Sequence, residues 1–314
     1  MIDYLVTGGA GFIGSNVVRS LLSDGFKVRV LDNFDTGNMN NITDILDKID
    51  FILGSITYDQ DIEKATKDVK NVIHLGARPS VPFSIEQPIY TNQVNIEGTL
   101  KLLQECVKKK VDKFIFASSS SVYGSSTTEC KSEDEKPNPL SPYALQKLTG
   151  EYYCKLYYEL FGLKTIAFRF FNVFGPRQNP NSDYAAVIPL FINKLLKGEV
   201  PTIHGGEQTR DFTYVEDVIS GIKCGVNNSN ECCYGQVYNL AKGDSISITR
   251  LFITISEILG VKINPIFSNY RTGDVRHSKA NPEKIINQLG WKSEWDFETS
   301  MKMTVNWYKE ELNK

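Results

Sequence analysis

Tyr143 and Lys147 stand four residues apart, directly after Ser141-Pro142. Ser141 is a good helix N-cap and Pro142 suits the first helical position, so the run reads as a helix start. Residues four apart share one helical face. The chemistry open to such a pair is proton transfer. A free phenol, with a pKa of about 10, is a poor base at neutral pH. A lysine ammonium and any further positive charge nearby favour the phenolate. Tyr143 could then take a hydroxyl proton as hydride leaves carbon. The spacing alone is weak, because about one chance Tyr-x-x-x-Lys match is expected in such a chain. A second one, Tyr238 with Lys242, is present and reads as a strand end followed by a loop. Context separates the two. Tyr143 lies downstream of a strand ending in Ser118-Ser119-Ser120-Ser121-Val122-Tyr123-Gly124, a hydroxyl-rich rim.

A second constellation begins at the first strand. Val6-Thr7-Gly8-Gly9-Ala10-Gly11-Phe12-Ile13-Gly14 follows it and opens a helix. One glycine makes the tight turn, one lets backbone approach a pyrophosphate, and one lets the helix pack on the strand. The pyrophosphate then sits on free N–H groups at the positive end of the helix. The second strand ends at Asp32, 18 residues after Gly14. A carboxylate there accepts from both ribose hydroxyls and repels a 2′-phosphate, so the expected cofactor is NAD and not NADP.

These residues need rigid elements beneath them. Ile2–Val6, Lys27–Leu31, Phe51–Leu53, Asn71–Leu75, Lys113–Ala117 and Lys164–Phe168 read as buried strands. Gly14–Asp24, Ile62–Lys67, Tyr90–Lys109 and Pro142–Phe161 read as the helices between them. That alternation predicts an α/β fold with a doubly wound parallel sheet of the Rossmann kind. After about Phe171 the rhythm loosens, with Pro176, Pro180, Pro189 and Pro201 interrupting it. The second half therefore reads as a smaller, partly discontinuous unit with longer loops.

Composition narrows the class. The 314 residues carry a net charge of −2, and no basic run exceeds Lys108-Lys109-Lys110. Nucleic acid is not expected as a partner. No stretch of 18 apolar residues occurs, and the N-terminus lacks a signal-peptide pattern, so neither membrane insertion nor export is expected. The six cysteines show no Cys-x-x-Cys spacing. They read as reduced cytoplasmic thiols, with neither a metal site nor a disulfide framework expected.

Over essentially its whole length the sequence resembles the extended short-chain dehydrogenase/reductase family, and within it the UDP-hexose 4-epimerases. The landmarks are Gly8–Gly14, Asp32, His74-Leu75-Gly76-Ala77, Ser118–Gly124, Tyr143 with Lys147, Arg169–Pro176, Arg210-Asp211-Phe212 and Arg271-Thr272-Gly273-Asp274. Runs such as Gln178-Asn179-Pro180-Asn181 and Gly273-Asp274-Val275-Arg276-His277-Ser278 resemble the bacterial UDP-N-acetylglucosamine 4-epimerases. The resemblance implies that Tyr143 is the base, that Lys147 holds the nicotinamide ribose, and that Ser119 bonds the reacting 4-hydroxyl. For NAD it implies contacts from Gly8, Gly11, Phe12, Ile13, Gly14, Asp32, Asn33, Ser55, Ile56, Leu75, Ala77 and Val173. For the UDP-sugar it implies Ser80, Ser120, Asn172, Ala186, Val187, Ile203, His204 and Asp274, with Arg210 and Arg271 gripping the diphosphate. Ser278 would border the C2 substituent of the sugar. Residues 1–171, joined by about 211–240, would bind NAD, and the rest of 172–314 the UDP-sugar. A homodimer through a four-helix bundle of Asn95–Lys109 and Tyr143–Phe161 is likewise implied.

Two departures are visible. Gly54-Ser55-Ile56 places a serine where the family commonly has an acid contacting adenine, and Gly76 replaces a more usual alanine. The reaction is narrowed by Ser120 and Ser121. Related 4,6-dehydratases need an Asp-Glu pair there, and UDP-glucuronate decarboxylases a Glu; serines cannot do that work. What remains is reversible oxidation at C4. The alternatives are a UDP-glucuronate 4-epimerase, disfavoured by Pro82-Phe83 where those enzymes carry an Arg, and a non-catalytic binding protein on the same fold.

Overall fold

The computed structural model describes residues 1–126, 128–180, 186–270 and 276–312. Its main sheet has seven strands: β1 (Ile2–Thr7), β2 (Val28–Asp32), β3 (Asp50–Leu53), β4 (Val69–His74), β5 (Lys113–Ser119), β6 (Lys164–Phe170) and β7 (Gln236–Leu240). Their order is β7-β6-β5-β4-β1-β2-β3, and every pairing is parallel. The chain winds from β1 to one edge and returns on the other side of β1 at β4. A crevice opens at the carboxyl ends where that order reverses, which is where such sheets bind ligands. The seventh strand arrives from the second half of the chain.

Successive strand residues point to opposite faces, and here both faces are buried. Val6, Val30, Ile73, Ile115 and Phe168 join one core cluster. Their neighbours Leu5, Leu31, Val72, Phe114, Phe116 and Ala167 join the other. The first face is covered by α1 (Phe12–Ser23) through Val17, Val18 and Leu21. The second is covered by α2 (Asp59–Thr66) and α3 (Thr99–Lys108), with Leu102, Leu103 and Cys106 fully buried. It is also covered by α4 (Pro142–Phe161). Strands buried on both sides read as continuous apolar runs, which is why the sequence exposed them.

Helix α4 begins and ends where the sequence puts it. The Ser141 side chain accepts from Ala144 N, and Gly162 closes the helix at φ 70°. Gly150 lets α4 lie against β5, since a Cβ there would come within 2.3 Å of the Phe116 ring. The expected helix over 90–109 differs in detail. Helix starts at Pro88, and Gln93–Gly98 is a π-helical turn before α3. Such turns occur largely at functional sites. This one carries Asn95, whose amide bonds both Arg78 N and Arg78 O, at 2.8 and 3.0 Å, and Gln146 Oε1 at 2.8 Å.

The second half adds α5 (Val187–Leu196), α6 (Val215–Asn227), α7 (Ile248–Leu259) and α8 (Phe297–Leu312). Helix α6 packs on the α1 face through Val218, Ile219 and Ile222. Phe191, Phe252, Met301 and Val305 belong to the same cluster as Val6 and Ile115, so the two halves share a continuous core. A small four-stranded sheet joins Cys130–Lys131, Thr209–Arg210, Ile246–Ser247 and His277–Ala280. Among the described residues no helix is long and apolar enough to cross a membrane.

Candidate active site

A cleft of about 420 Å³ runs over the carboxyl ends of the strands. At one end lies the glycine loop. Helix α1 opens at Gly11 with no side-chain cap, so its first N–H groups are left for an acceptor in the cleft. Gly14 permits the tight turn, because a Cβ there would fall 2.0 Å from Gly8 O. Asp32 is buried beside the loop; its oxygens accept from Ala10 N at 2.9 Å and Phe34 N at 2.8 Å. Burial raises the Asp32 pKa while these amide bonds lower it. With about four acceptor sites on its two oxygens, the carboxylate can still take a ribose hydroxyl. Unsatisfied amides beside a carboxylate match the two ends of an adenosine diphosphate, so the chain's own groups fit NAD.

Ser119, at the end of β5, and Tyr143 and Lys147, on α4, line the same cleft. Ser119 stands close enough to the Tyr143 phenol to lower its pKa and accepts from Ser121 N at 3.2 Å. Lys147 donates to Ala117 O at 2.8 Å, its ammonium 5.9 Å from the Tyr143 ring centroid. Burial pushes the Tyr143 pKa up to about 12, with Ser119 opposing it. Burial pulls Lys147 down to about 8, against the neighbouring Cys154 and Glu151. The protein's own groups thus hold Tyr143 as a neutral phenol, and Lys147 spends one donor on backbone. The positive charge that would favour a phenolate has to come mainly from a nicotinamide ring.

Behind this pair lies a buried network that motif spacing did not reveal. Arg169 on β6 grips Glu151 on α4 in a two-pronged ion pair, at 2.9 and 2.8 Å. Ser118 donates to Glu151 at 2.5 Å. Burial opposes the Arg169 charge, but Glu151 outweighs it and raises the pKa. The available signal was Glu151 standing four residues after Lys147 on the same helix face. His74 is buried between Thr7 Oγ1 at 2.7 Å and Thr99 Oγ1 at 3.0 Å. Thr99 gives its own proton to Asn95 O, so it accepts from His74 Nε2–H. Burial lowers the His74 pKa to about 3, fixing a neutral structural imidazole.

Of the residues expected around the cofactor, all fourteen line the cleft, namely Gly8, Gly11, Phe12, Ile13, Gly14, Asp32, Asn33, Ser55, Ile56, Leu75, Ala77, Tyr143, Lys147 and Val173. Of those expected around the substrate, Ser119 and Asn172 line it as well. Ser80 sits beside the lining residue Pro79, at φ 101°, and caps the short helix Val81–Glu86. Ser120 begins the turn that follows Ser119. Ala186 and Val187 form the start of α5. Ile203 is fully buried in the main core, so its side chain supports its strand and does not meet the cleft. His204 bonds Ser268 Oγ at 2.6 Å. Arg210 lies opposite Ser278 in a parallel pairing. Ser278 is therefore a strand residue and not a turn cap. Arg271 and Asp274 lie outside the described residues. Gln178, from the run at 178–181, also lines the cleft, as do Asp35, Thr36 and Tyr90, to which no motif pointed.

The sequence matches the NAD dependent epimerase/dehydratase family over residues 4–241. The chain belongs to that family. It is 41% identical to a solved UDP-N-acetylglucosamine 4-epimerase from Methanobrevibacter ruminantium in complex with UDP-N-acetylmuramic acid, covering 99% of both chains at a TM-score of 0.93. It is 34% identical to the UDP-glucose 4-epimerase of Thermotoga maritima solved with UDP-glucose, covering 99% of this chain and 100% of that one, also at 0.93. A UDP-glucose 4-epimerase from Mycolicibacterium smegmatis is 34% identical over 97% of this chain and 98% of its own length. The doubly wound fold expected from strand and helix alternation is the fold of this family's epimerases.

Proposed function

We propose that this chain is a UDP-hexose 4-epimerase that interconverts UDP-N-acetylglucosamine with UDP-N-acetylgalactosamine and also UDP-glucose with UDP-galactose. The observation that carries the reading is the meeting of Ser119 with the Tyr143 phenol beside Lys147, with only serines at 120 and 121. Bound NAD supplies a reversible hydride acceptor and ends each cycle unchanged. The chain's own part is to hold and move the proton. As a phenolate, Tyr143 Oη would take it from the 4-hydroxyl and return it to the same oxygen once the transient 4-keto sugar has turned its opposite face to the returning hydride. Ser119 Oγ passes a hydrogen bond between that hydroxyl and the phenol. Lys147, anchored on Ala117 O, holds the ribose and keeps positive charge near the phenol. Without a carboxylic acid at 120 or 121, water is not expelled from C6.

Gly8, Gly11, Phe12, Ile13 and Gly14 would hold the pyrophosphate, Asp32 and Asn33 the adenosine ribose, and Ser55 and Ile56 the adenine edge. Leu75, Ala77 and Val173 would flank the middle and nicotinamide end. Residues 1–171, with α6 and β7 returned from the second half, would form the NAD unit, and the rest of 172–314 the UDP-sugar unit. There Asn172 and Arg210 would meet the diphosphate with Arg271, and Ser278 the C2 substituent. Arg78 offers no free cation to a uronate carboxylate. Its guanidinium is engaged with Asp35 at 3.5 Å and stacked 4.0 Å over the Phe83 ring. The exposed stripe Leu145, Tyr152, Leu156 and Leu160 on α4 supports a homodimer through paired helices. Free cysteines, two of them buried on α3 and α4, support a reducing cytoplasmic setting.

Incubation with UDP-N-acetylglucosamine, UDP-glucose and UDP-glucuronate separately, followed by quantification of C4 epimers, tests the assignment. Conversion of the first two is expected. Conversion of the uronate alone would transfer the assignment to the alternative. No conversion of any, with NAD and UDP-sugar still bound, would make this a binding protein.

A further inference from the structure

Three residues that no motif singled out meet at the outer edge of the cleft. Asp35 follows β2, Arg78 follows β4, and Tyr90 comes from the helix that precedes the π turn. Tyr90 Oη donates to Asp35 Oδ2 at 2.9 Å. Arg78 reaches the same Oδ2 at 3.5 Å and donates to Asp35 O at 3.2 Å. The Arg78 backbone is itself held on both sides by Asn95, and its guanidinium rests on Phe83. Strands β2 and β4 flank β1 on opposite sides, so the Asp35–Arg78 contact spans the crevice above the glycine loop. Asp35 and Tyr90 line the cleft together with Asp32, Asn33 and Thr36.

We propose that Asp35, Arg78 and Tyr90 form a polar bridge across the adenosine half of the cofactor crevice, and that opening it sets the rate at which NAD leaves. The inference rests on the NAD-binding reading given above. A catalyst that regenerates its cofactor on every cycle gains nothing from exchanging it, and a strap over the crevice slows exchange without touching the reacting carbon. The geometry separates a strap from simple electrostatics. Asp35 puts a negative charge on the side of the crevice where a dianionic pyrophosphate would sit. If charge were its whole effect, Asp35→Asn would tighten binding and slow release. A strap makes the opposite prediction.

The test is the dissociation rate of NAD from the full-length holoenzyme. Released cofactor is trapped by an excess of a scavenging dehydrogenase, and the fraction retained is read after denaturation by chromatography. Asp35→Asn and Tyr90→Phe are each expected to release NAD about fivefold faster, the scale of one partly exposed charged hydrogen bond. The double variant is expected to fall short of the product of the two single effects, because both changes act at the same side chain, Asp35→Asn weakening its pairing with Arg78 and Tyr90→Phe removing its phenol donor. Tyr90→Phe deletes one oxygen and keeps the ring, so it decides alone if Asp35→Asn fails to fold. Unchanged or slower release in the variants overturns the bridge. Wild-type protein that retains no NAD at all overturns the cofactor reading beneath it.

Discussion

At the scale of single residues, the site depends on a phenol that its surroundings keep neutral. Burial drives the Tyr143 pKa up to about 12, and Ser119 only partly offsets this. Tyr143→Phe deletes the oxygen and keeps the ring. Turnover should fall about a thousandfold, within the usual range for a lost general base, while NAD and UDP-sugar affinities, measured by calorimetry, stay close to wild type. Wild-type turnover would remove Tyr143 from its role. Ser278 tests the sugar. It is a small, half-buried residue in the strand His277–Ala280, opposite Arg210. A tyrosine there should exclude the bulkier N-acetyl group at C2 and spare a hydroxyl, because overpacking is felt by whatever shares the space. Ser278→Tyr is therefore expected to lose activity on UDP-N-acetylglucosamine and keep it on UDP-glucose. Equal losses on both sugars, in paired kcat/KM measurements, would show that Ser278 does not read C2.

At the scale of elements, Asp211 ties three pieces of backbone together. Its Oδ2 accepts from Gly243 N at 3.0 Å and Ala280 N at 3.1 Å, next to Arg210 on the small sheet. Burial raises its pKa to about 7, with the two amide bonds opposing. The sign follows from proton counts. Between about pH 4 and pH 7 the unfolded chain has released this proton while the folded chain holds it. Stability from this group is full below the unfolded pKa and is lost as pH rises through 7. Asp211→Asn keeps an acceptor oxygen and cannot ionise. Its denaturation midpoint should fall less between pH 5 and pH 8 than that of wild type. Parallel profiles from denaturant titrations would mean that Asp211 ionises no later in the folded state than in the unfolded one.

At the scale of the whole molecule, the two halves share one core, and the apolar stripe on α4 faces outward. Leu156 is 44% and Leu160 is 69% exposed, a pattern that helix pairing between subunits would explain. Leu156→Glu with Leu160→Glu should shift sedimentation from a dimer to a monomer. Because these side chains point away from the cleft, NAD content should survive the shift. A wild-type protein that sediments as a monomer at micromolar concentration would rule out the paired-helix assembly.

Much of this was legible in the chain itself, for reasons of range. The six first strands of the sheet, helix α4 with its Ser141 and Gly162 ends, the glycine turn and the Tyr143–Lys147 face depend on local periodicity, capping and spacing. The sequence determines these directly. It also carried the absence of carboxylates at 120 and 121, which narrows the chemistry. Contacts between residues far apart in the chain could not be read this way. The Arg169–Glu151–Ser118 network, the Asp211 tie and the Asp35–Arg78–Tyr90 bridge each join elements whose neighbourhood is set by sheet order. A strand end at Tyr238 was legible, but its parallel pairing as β7 with β6 at the sheet edge was not, because that neighbour is set by the fold. The π turn carries Asn95, whose partners Arg78 and Gln146 are distant in the chain, so local periodicity did not reveal it. The protonation state of Tyr143 was the hardest to foresee: spacing placed a lysine four residues away, but burial, a property of the assembled core alone, raises the phenol pKa and only Ser119 opposes it.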